Sequence, residues 1–416
     1  MRPARYAAPW LLPIEGPPIA DGAVLVDERG RIAAVGPGAV VPTPPEAHVE
    51  RFDGAVLLPG LINTHTHLEL TGLEGQVDDA DFPAWIRHLI LVKARRSPGE
   101  VRLAARRGIQ EGWATGVTTV ADTGDSGTVI EALAELGGSG IAYHEVFGPA
   151  PEQVEESFRG WVGRLEELGR FAGGRVTLGG SPHAPYSVSG PLYTRVARHA
   201  REEQLPLAVH LAESREESEL LAGQGGAFAQ SWRKREIPVP VEPGCTPIAW
   251  LDRHGVLGPR TLCIHAVHAS DADLDTLAAR GVAIAHCPRS NHRHGHGPAP
   301  LGEMLRRGIR VGVGTDSVAS VSPLDLFAEA RAAGALAGLG ASEMLALVTL
   351  DAARALGLEG ETGGLVRGKW ADLVALDLPA QVDAAQLPDT VLSRPRAACR
   401  LTLLGGREVY RRGVAF

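Results

Sequence analysis

A (β/α)8 TIM barrel with a small β-sandwich built from both chain ends is the α/β fold this sequence predicts. Three observations predict it. Eight short apolar runs recur along the middle of the chain, helix-length Ala/Leu/Arg/Glu segments separate most of them, and nearly every run ends in polar residues able to do chemistry. A doubly wound sheet would account for the first two observations and gives no reason for the third.

Residues 1–56 read as short strands. Ala23–Asp27, a turn at Glu28-Arg29-Gly30 and Arg31–Val35 form a hairpin pattern. The apolar runs follow at Ala55–Leu61, Gly116–Ala121, Gly140–Val146, Arg175–Gly179, Leu207–His210, Thr261–His265, Val282–His286 and Val311–Thr315. Segments such as Gly99–Ala114, Pro191–Glu203, Ala272–Arg280 and Pro300–Arg307 read as the helices between them. The stretch from Glu216 to Trp250, with Pro238–Pro243 inside it, reads as an enlarged loop forming a lid or pocket wall. Trp370–Asp377, Cys399–Leu404 and Arg407–Tyr410 return to strand character around a Gly405-Gly406 turn. The expected organisation is residues 1–56 and 358–416 in the sandwich and 57–357 in the barrel.

Composition narrows the function. The chain has 416 residues, 44% hydrophobic and 22% charged, which suits a folded globular protein. A formal charge of −8 argues against nucleic acid as a partner. No apolar run approaches the roughly 18 residues that cross a bilayer, so no membrane partner is expected. The Pro-broken start lacks a secretory h-region, and Cys245, Cys263, Cys287 and Cys399 show no CxxC or disulfide spacing. A cytoplasmic location is therefore expected. The partner is a small-molecule substrate. Oligomeric state stays open, a homodimer included, with Leu324–Ala337 serving as barrel wall or dimer interface.

The run ends carry the chemistry. They include Asn63-Thr64-His65-Thr66-His67, Asp122-Thr123, His144-Glu145, Ser181-Pro182-His183, His210-Leu211-Ala212-Glu213, His265, His286 and Thr315-Asp316. In a barrel these tips meet at one mouth. His65 and His67 at i and i+2 share one strand face, so both can reach one ion. A lone HxH is weak, but His210 and Asp316 supply a third nitrogen and a carboxylate. Such an N3O set suits one divalent metal with a position left open for water. Zn2+ fits best, and Fe2+, Mn2+ or Ni2+ also satisfy the donors.

The sequence closely resembles the amidohydrolase superfamily, and within it the aminohydrolase (cyclic deaminase) branch. Leu58–His67, Ser181–His183, His210–Glu213, His265–His268, His286–Asn291 and Gly314–Ser317 carry the likeness in the family's order. The resemblance implies that His65, His67, His210 and Asp316 are metal ligands. It implies that Glu213 and His265 are catalytic and that His183 contacts substrate. His268 rivals His265, which is preferred because it directly follows the apolar run. Binuclear relatives bridge two ions with a carbamylated lysine. Lys93, Lys234 and Lys369 all lie away from the run ends. One metal is therefore expected, with a Glu145 bridge as the alternative.

The metal lowers the pKa of water toward about 7. Asp316 can take a proton from that water, His265 can steady the developing oxyanion, and Glu213 can protonate a ring nitrogen. The reading is a hydrolytic deaminase of an amino-substituted heterocycle. The alternative is another amidohydrolase reaction on a C–N or C–Cl bond, as in chlorohydrolases and imidazolone or amide hydrolases. His67-Leu68-Glu69-Leu70 and Asp81–Ile86 are similar to aminodeoxyfutalosine deaminases of the menaquinone pathway, making an adenine nucleoside-like substrate the best guess. Trp85 and Phe82 would wall an aromatic base. Glu69 would bond a ribose or amine, or cap a helix. Arg289 either grips a substrate carboxylate or ties loops together. Asn291 is counted with the substrate-binding residues. Pro83-Ala84 before Trp85, and His292–Gly297 after Asn291, depart from the S-adenosylhomocysteine-type pattern. The His-rich segment is expected to line the pocket mouth.

Overall fold

A computed structural model describes residues 1–239 and 245–414. Five strands open the chain: β1 (Ala4–Leu11), β2 (Ile19–Val26), β3 (Ile32–Pro37), β4 (His48–Arg51) and β5 (Ala55–Pro59). Eight follow in the central part: β6 (Leu61–Thr66), β7 (Val117–Gly124), β8 (Gly140–Val146), β9 (Val176–Pro182), β10 (Leu207–Leu211), β11 (Thr261–His265), β12 (Ala283–His286) and β13 (Arg310–Val313). Three close it: β14 (Leu373–Asp377), β15 (Cys399–Leu404) and β16 (Arg407–Arg411).

The terminal strands form one sheet in the order β16-β15-β14-β5-β1-β2-β3, with β4 beside β1. Its register fixes both chain ends together: Leu373 pairs with Pro59 and Asp377 with Ala55 in the antiparallel β14–β5 ladder. Val24, Val26, Ile32, Leu57, Leu373, Leu401 and Leu403 are buried in one cluster beside this sheet. Alternating apolar residues on these strands supply that face.

The central strands run β6 to β13 in sequence order in an eight-stranded sheet. Neighbours such as β8–β9 and β10–β11 pair in parallel. A parallel bridge between Thr66 and Asp316 joins the first strand to the segment after the last, closing the barrel. Helices fill the connections where expected, at Pro98–Trp113, Gly190–Glu202, Asp271–Arg280 and Leu301–Arg306. Local chemistry sets their starts. Ser270 and Asp273 form a capping box, and the Asp81 side chain accepts from Ala84 N at the head of Phe82–Lys93.

Two expectations change. The run Ala55–Leu61 is not the first barrel strand: it is cut at Gly60, with β5 in the terminal sheet and β6 starting the barrel. A side chain at Gly60 would place its Cβ 2.1 Å from Thr118 Oγ1, so only glycine fits this crossing. The stretch Glu216–Trp250 is not a plain loop. It carries helices at Arg215–Leu221, Gly226–Lys234 and Pro247–Arg253. Residues 240–244, part of the expected Pro238–Pro243 wall, lie outside the described residues. Among the described residues no helix is long and apolar enough to cross a membrane.

The chain divides into two compact units. One comprises Met1–Thr64, Arg107–Val120 and Asp325–Phe416; the other comprises His65–Arg106 and Ala121–Leu324. Every site residue discussed below falls in the second.

Candidate active site

His65 sits on β6, His67 one residue beyond it, and His210 on β10. Their rings converge: centroids lie 4.7 Å apart for His65–His67, 5.0 Å for His65–His210 and 5.4 Å for His67–His210. Backbone carbonyls orient the rings. His67 Nδ1 lies 2.8 Å from Thr123 O, and His210 Nδ1 lies 3.3 Å from His183 O. Asp316 Oδ1 stands 3.7 Å from His65 Nε2 and 3.6 Å from His67 Nε2. Its other oxygen accepts a 2.5 Å hydrogen bond from Ser290 Oγ. Gly314 permits this approach, since a Cβ there would sit 2.7 Å from His65 N.

Backbone strain gathers at the same tips. Ala212, His265, Ala266 and Asp316 have φ of 50°, 72°, 47° and 57°. Each such non-glycine residue costs on the order of 1–3 kcal/mol, sustained only where the surroundings over-determine it. Thr315 N and Asp316 N both donate to His65 O, at 3.0 and 3.1 Å. The strained turn after β13 is thus tied to the strand carrying the first two histidines.

Glu213 follows β10. Its Oε1 lies 3.5 Å from His265 Nε2 and 3.6 Å from His296 Nε2. His265 Nδ1 is 2.9 Å from Asn291 Oδ1, which fixes the ring. Asn291 therefore acts on His265, while its Nδ2 is buried without a partner. Glu217 lies beneath, fully buried, its two oxygens accepting from Ala212 N at 2.8 Å and Glu213 N at 3.0 Å.

Electrostatics suit the geometry. Burial pushes His65 down to about 4 and lowers His67 and His210 as well, so the imidazoles are neutral near pH 7. Burial pushes Asp316 up, but the neighbouring His65 and His67 imidazoles outweigh it and hold the carboxyl well below the usual range. Glu213 behaves alike: burial raises it, His265 and His296 prevail, and it settles at about 2.

The other expected residues divide. His183 closes on the cluster, its ring 4.9 Å from His210 and its Nδ1 2.7 Å from Ser187 Oγ. Trp85 stacks near Phe82 at 6.1 Å and meets His294 at 4.5 Å, while Phe82 meets His296 at 4.5 Å. These rings lie on the Glu213 side of the site. Glu69 is turned elsewhere: its carboxylate pairs with Lys93 and with Ser126 Oγ, and accepts from Ser126 N at 3.3 Å. Arg289 is partly buried and donates to Pro323 O at 3.3 Å, a contact that ties two loops. His268 donates its backbone N–H to Ala212 O at 2.9 Å, and its Nε2 is buried without a hydrogen-bond partner. Sequence reasoning assigned no role to Glu217 or Ser290, and it read His296 only as part of a pocket-lining segment. The crowding of histidines in His292–His296 was the one signal available for His296.

A divalent cation fits these residues. The ligating atoms of His65, His67 and Asp316 all lie within 4.8 Å of one another, as do those of His65, His210 and His265. Tetrahedral ligands at about 2.1 Å from zinc stand about 3.4 Å apart, close to the His–Asp separations here. Three neutral imidazoles and an ionised carboxylate are the forms that bind such ions. Lys93 and Lys234 lie in helices and Lys369 outside the barrel strands.

Fold and donor set together define a barrel metallohydrolase. A model of the amidohydrolase family matches residues 56–409. The 5-methylthioadenosine/S-adenosylhomocysteine deaminase of Moorella thermoacetica is 33% identical over 385 residues, covering 88% of this chain and 84% of the relative. The crystal structure of an adenosine deaminase from Xanthomonas campestris with bound zinc matches with a TM-score of 0.83 at 27% identity, covering 97% of this chain and 92% of that one. Helicobacter pylori aminofutalosine deaminase shares the fold, with a TM-score of 0.86 at 22% identity over 98% of this chain and 100% of that one. The chain belongs to the amidohydrolase family.

Proposed function

We propose that the chain is a mononuclear, metal-dependent hydrolytic deaminase of an adenine nucleoside-like substrate. Aminodeoxyfutalosine and 5-methylthioadenosine are the leading candidates. The observation that carries this reading is the meeting of His65, His67, His210 and Asp316 beside the Glu213–His265 pair. The relatives named as deaminases of adenosine and its thioethers support it.

His65, His67, His210 and Asp316 would hold the cation. When bound, it supplies Lewis acidity that makes water a competent nucleophile near neutral pH. Glu213, ionised at rest, starts as a base: it accepts a proton from the attacking water and delivers it to the ring nitrogen next to the reacting carbon. Protonation there makes that carbon electrophilic. His265, oriented through its Nδ1–H by Asn291 Oδ1, presents Nε2 to the oxygen on which charge develops. Asp316 accepts the second water proton and returns it to the departing amine, so ammonia leaves and a carbonyl replaces the amino group. Phe82 and Trp85 give the base an apolar wall. Recognition of a carboxylate by Arg289 is not part of this reading.

The test is ammonia release by zinc-loaded protein from adenosine, 5-methylthioadenosine, S-adenosylhomocysteine and aminodeoxyfutalosine, with metal analysis alongside. Turnover with about one metal per chain is expected. Two tightly held ions would refute the mononuclear site. Chloride release from a chlorotriazine, with no ammonia from any nucleoside, would replace the deaminase with the chlorohydrolase alternative.

A further inference from the structure

Among the buried carboxyls that the proton route leaves unused, Glu145 stands out at the barrel mouth. Glu145 lies near the end of β8, with 7% of its surface exposed. Its Oε1 is buried and has no hydrogen-bond partner. A carboxylate oxygen of Glu145, a ring nitrogen of His183 and a ring nitrogen of His210 all lie within 4.8 Å of one another, so the carboxyl points at the site. In the β8–β9 ladder Glu145 pairs in register with Ser181. Ser181 Oγ is also buried without a partner. Register neighbours in a parallel ladder present side chains to the same face.

Buried polar atoms without partners are rare, and leaving one unsatisfied costs about 1–3 kcal/mol. Two of them adjoin here, beside a proposed metal ligand. Two residues on from Glu145, Phe147 stands 40% exposed and packs on the His183 ring at 4.8 Å. An apolar rim therefore borders the polar pair.

We propose that Glu145, flanked by Ser181 and His183, forms a subsite that accepts a hydrogen bond from a sugar hydroxyl of the bound nucleoside. The proposal rests on the deaminase reading above. An adenine nucleoside carries few donors: its exocyclic amine reacts, its ring nitrogens accept, and the sugar hydroxyls remain. An acceptor at Glu145 thus matches the sugar. A second metal held by Glu145, His183 and His210 is the competing use of the same atoms.

The experiment compares zinc-loaded wild type, Glu145→Ala and the near-isosteric Glu145→Gln on adenosine, its 2′-, 3′- and 5′-deoxy forms, and 7-deazaadenosine. Metal content and thermal melting are measured on each protein. Wild type is expected to disfavour one deoxy form at least about tenfold in kcat/KM, the scale of one lost hydrogen bond. Glu145→Ala is expected to lose about as much on adenosine, mainly through KM, and nothing on that deoxy form. Glu145→Gln, which keeps a carbonyl acceptor, falls between. Metal content stays at the wild-type value in both. Equal losses on every nucleoside overturn the subsite while leaving the deaminase reading intact. A loss of discrimination against 7-deazaadenosine alone overturns it in favour of a ring-nitrogen contact. A wild type with two ions and a variant with one overturns it in favour of a metal ligand. No ammonia from any nucleoside with wild type overturns both readings.

Discussion

Glu217→Gln tests whether the acid–base residue is held by the loop beneath it. Glu217 is fully buried on the helix Arg215–Leu221. One oxygen accepts from Ala212 N at 2.8 Å and the other from Glu213 N at 3.0 Å. Ala212 is a left-handed alanine with φ 50°, so this clamp helps sustain a strained turn. Glutamine has nearly the same shape but only one acceptor, whereas a carboxyl, protonated or not, keeps acceptor lone pairs on both oxygens. Its amide nitrogen would face one of the two backbone N–H groups, donor against donor. One hydrogen bond is lost and a buried N–H is left unsatisfied, which costs about 1–3 kcal/mol. Urea unfolding should show that loss as a lower midpoint at unchanged slope. Glu213 should also lose its setting. A transition-state loss of about 1.4–2 kcal/mol corresponds to a fall in kcat of roughly ten- to thirtyfold, with KM changing less. A Glu217→Gln chain with wild-type midpoint and wild-type kcat would show that the turn and Glu213 do not depend on the clamp.

Three further outcomes are expected. Burial pushes Glu217 up to about 8 from 4.5, against the pull of the two N–H groups. The folded chain then keeps a proton that the unfolded chain releases, so this stabilisation is full below about 4.5 and is lost as pH rises through about 8. Urea midpoints of wild type should fall between mildly acidic and alkaline buffer, and those of Glu217→Gln should fall less. Glu213→Gln should keep its metal by elemental analysis and lose about 10²–10⁴ in kcat; a variant retaining most of its turnover would remove Glu213 from the proton route. Asn291→Ala frees the His265 ring from its 2.9 Å anchor. It should lower kcat about ten- to a hundredfold, as for other groups that orient functional histidines.

The barrel was legible because strand ends and chemistry coincide in the sequence. His210, His265 and His286 each close an apolar run, and a run of that kind has few places to lie except a buried strand. The terminal sheet was legible for Ala23–Val35 and Cys399–Tyr410, where alternation and glycine turns mark hairpins. The break at Gly60 was not legible. Ala55–Leu61 is apolar throughout, and hydropathy records burial without recording which sheet buries it. The clamp at Glu217 was hidden for the opposite reason. Arg215-Glu216-Glu217 reads as a solvated helix start, and only the tertiary fold turns its last member inward. Glu69 shows a third kind of limit. Its place two residues after the second metal-type histidine suggests a partner in the substrate, yet Lys93 arrives from a helix twenty-four positions on and takes that carboxylate.

Early synthesis leaves this fold waiting. Strand β5 leaves the ribosome with the first sixty residues, while its antiparallel neighbour β14 starts at Leu373. At ribosomal speeds of about 5–20 residues per second, the gap amounts to roughly 15–60 s. Throughout it, Val56, Leu57 and Leu58 have an open edge on the side β14 later covers, which is the kind of strand that recruits other chains. Yield of native protein from cells should therefore respond to slower growth or added chaperone. Chains cut before Leu373 should precipitate even though every residue of the candidate centre has already been made.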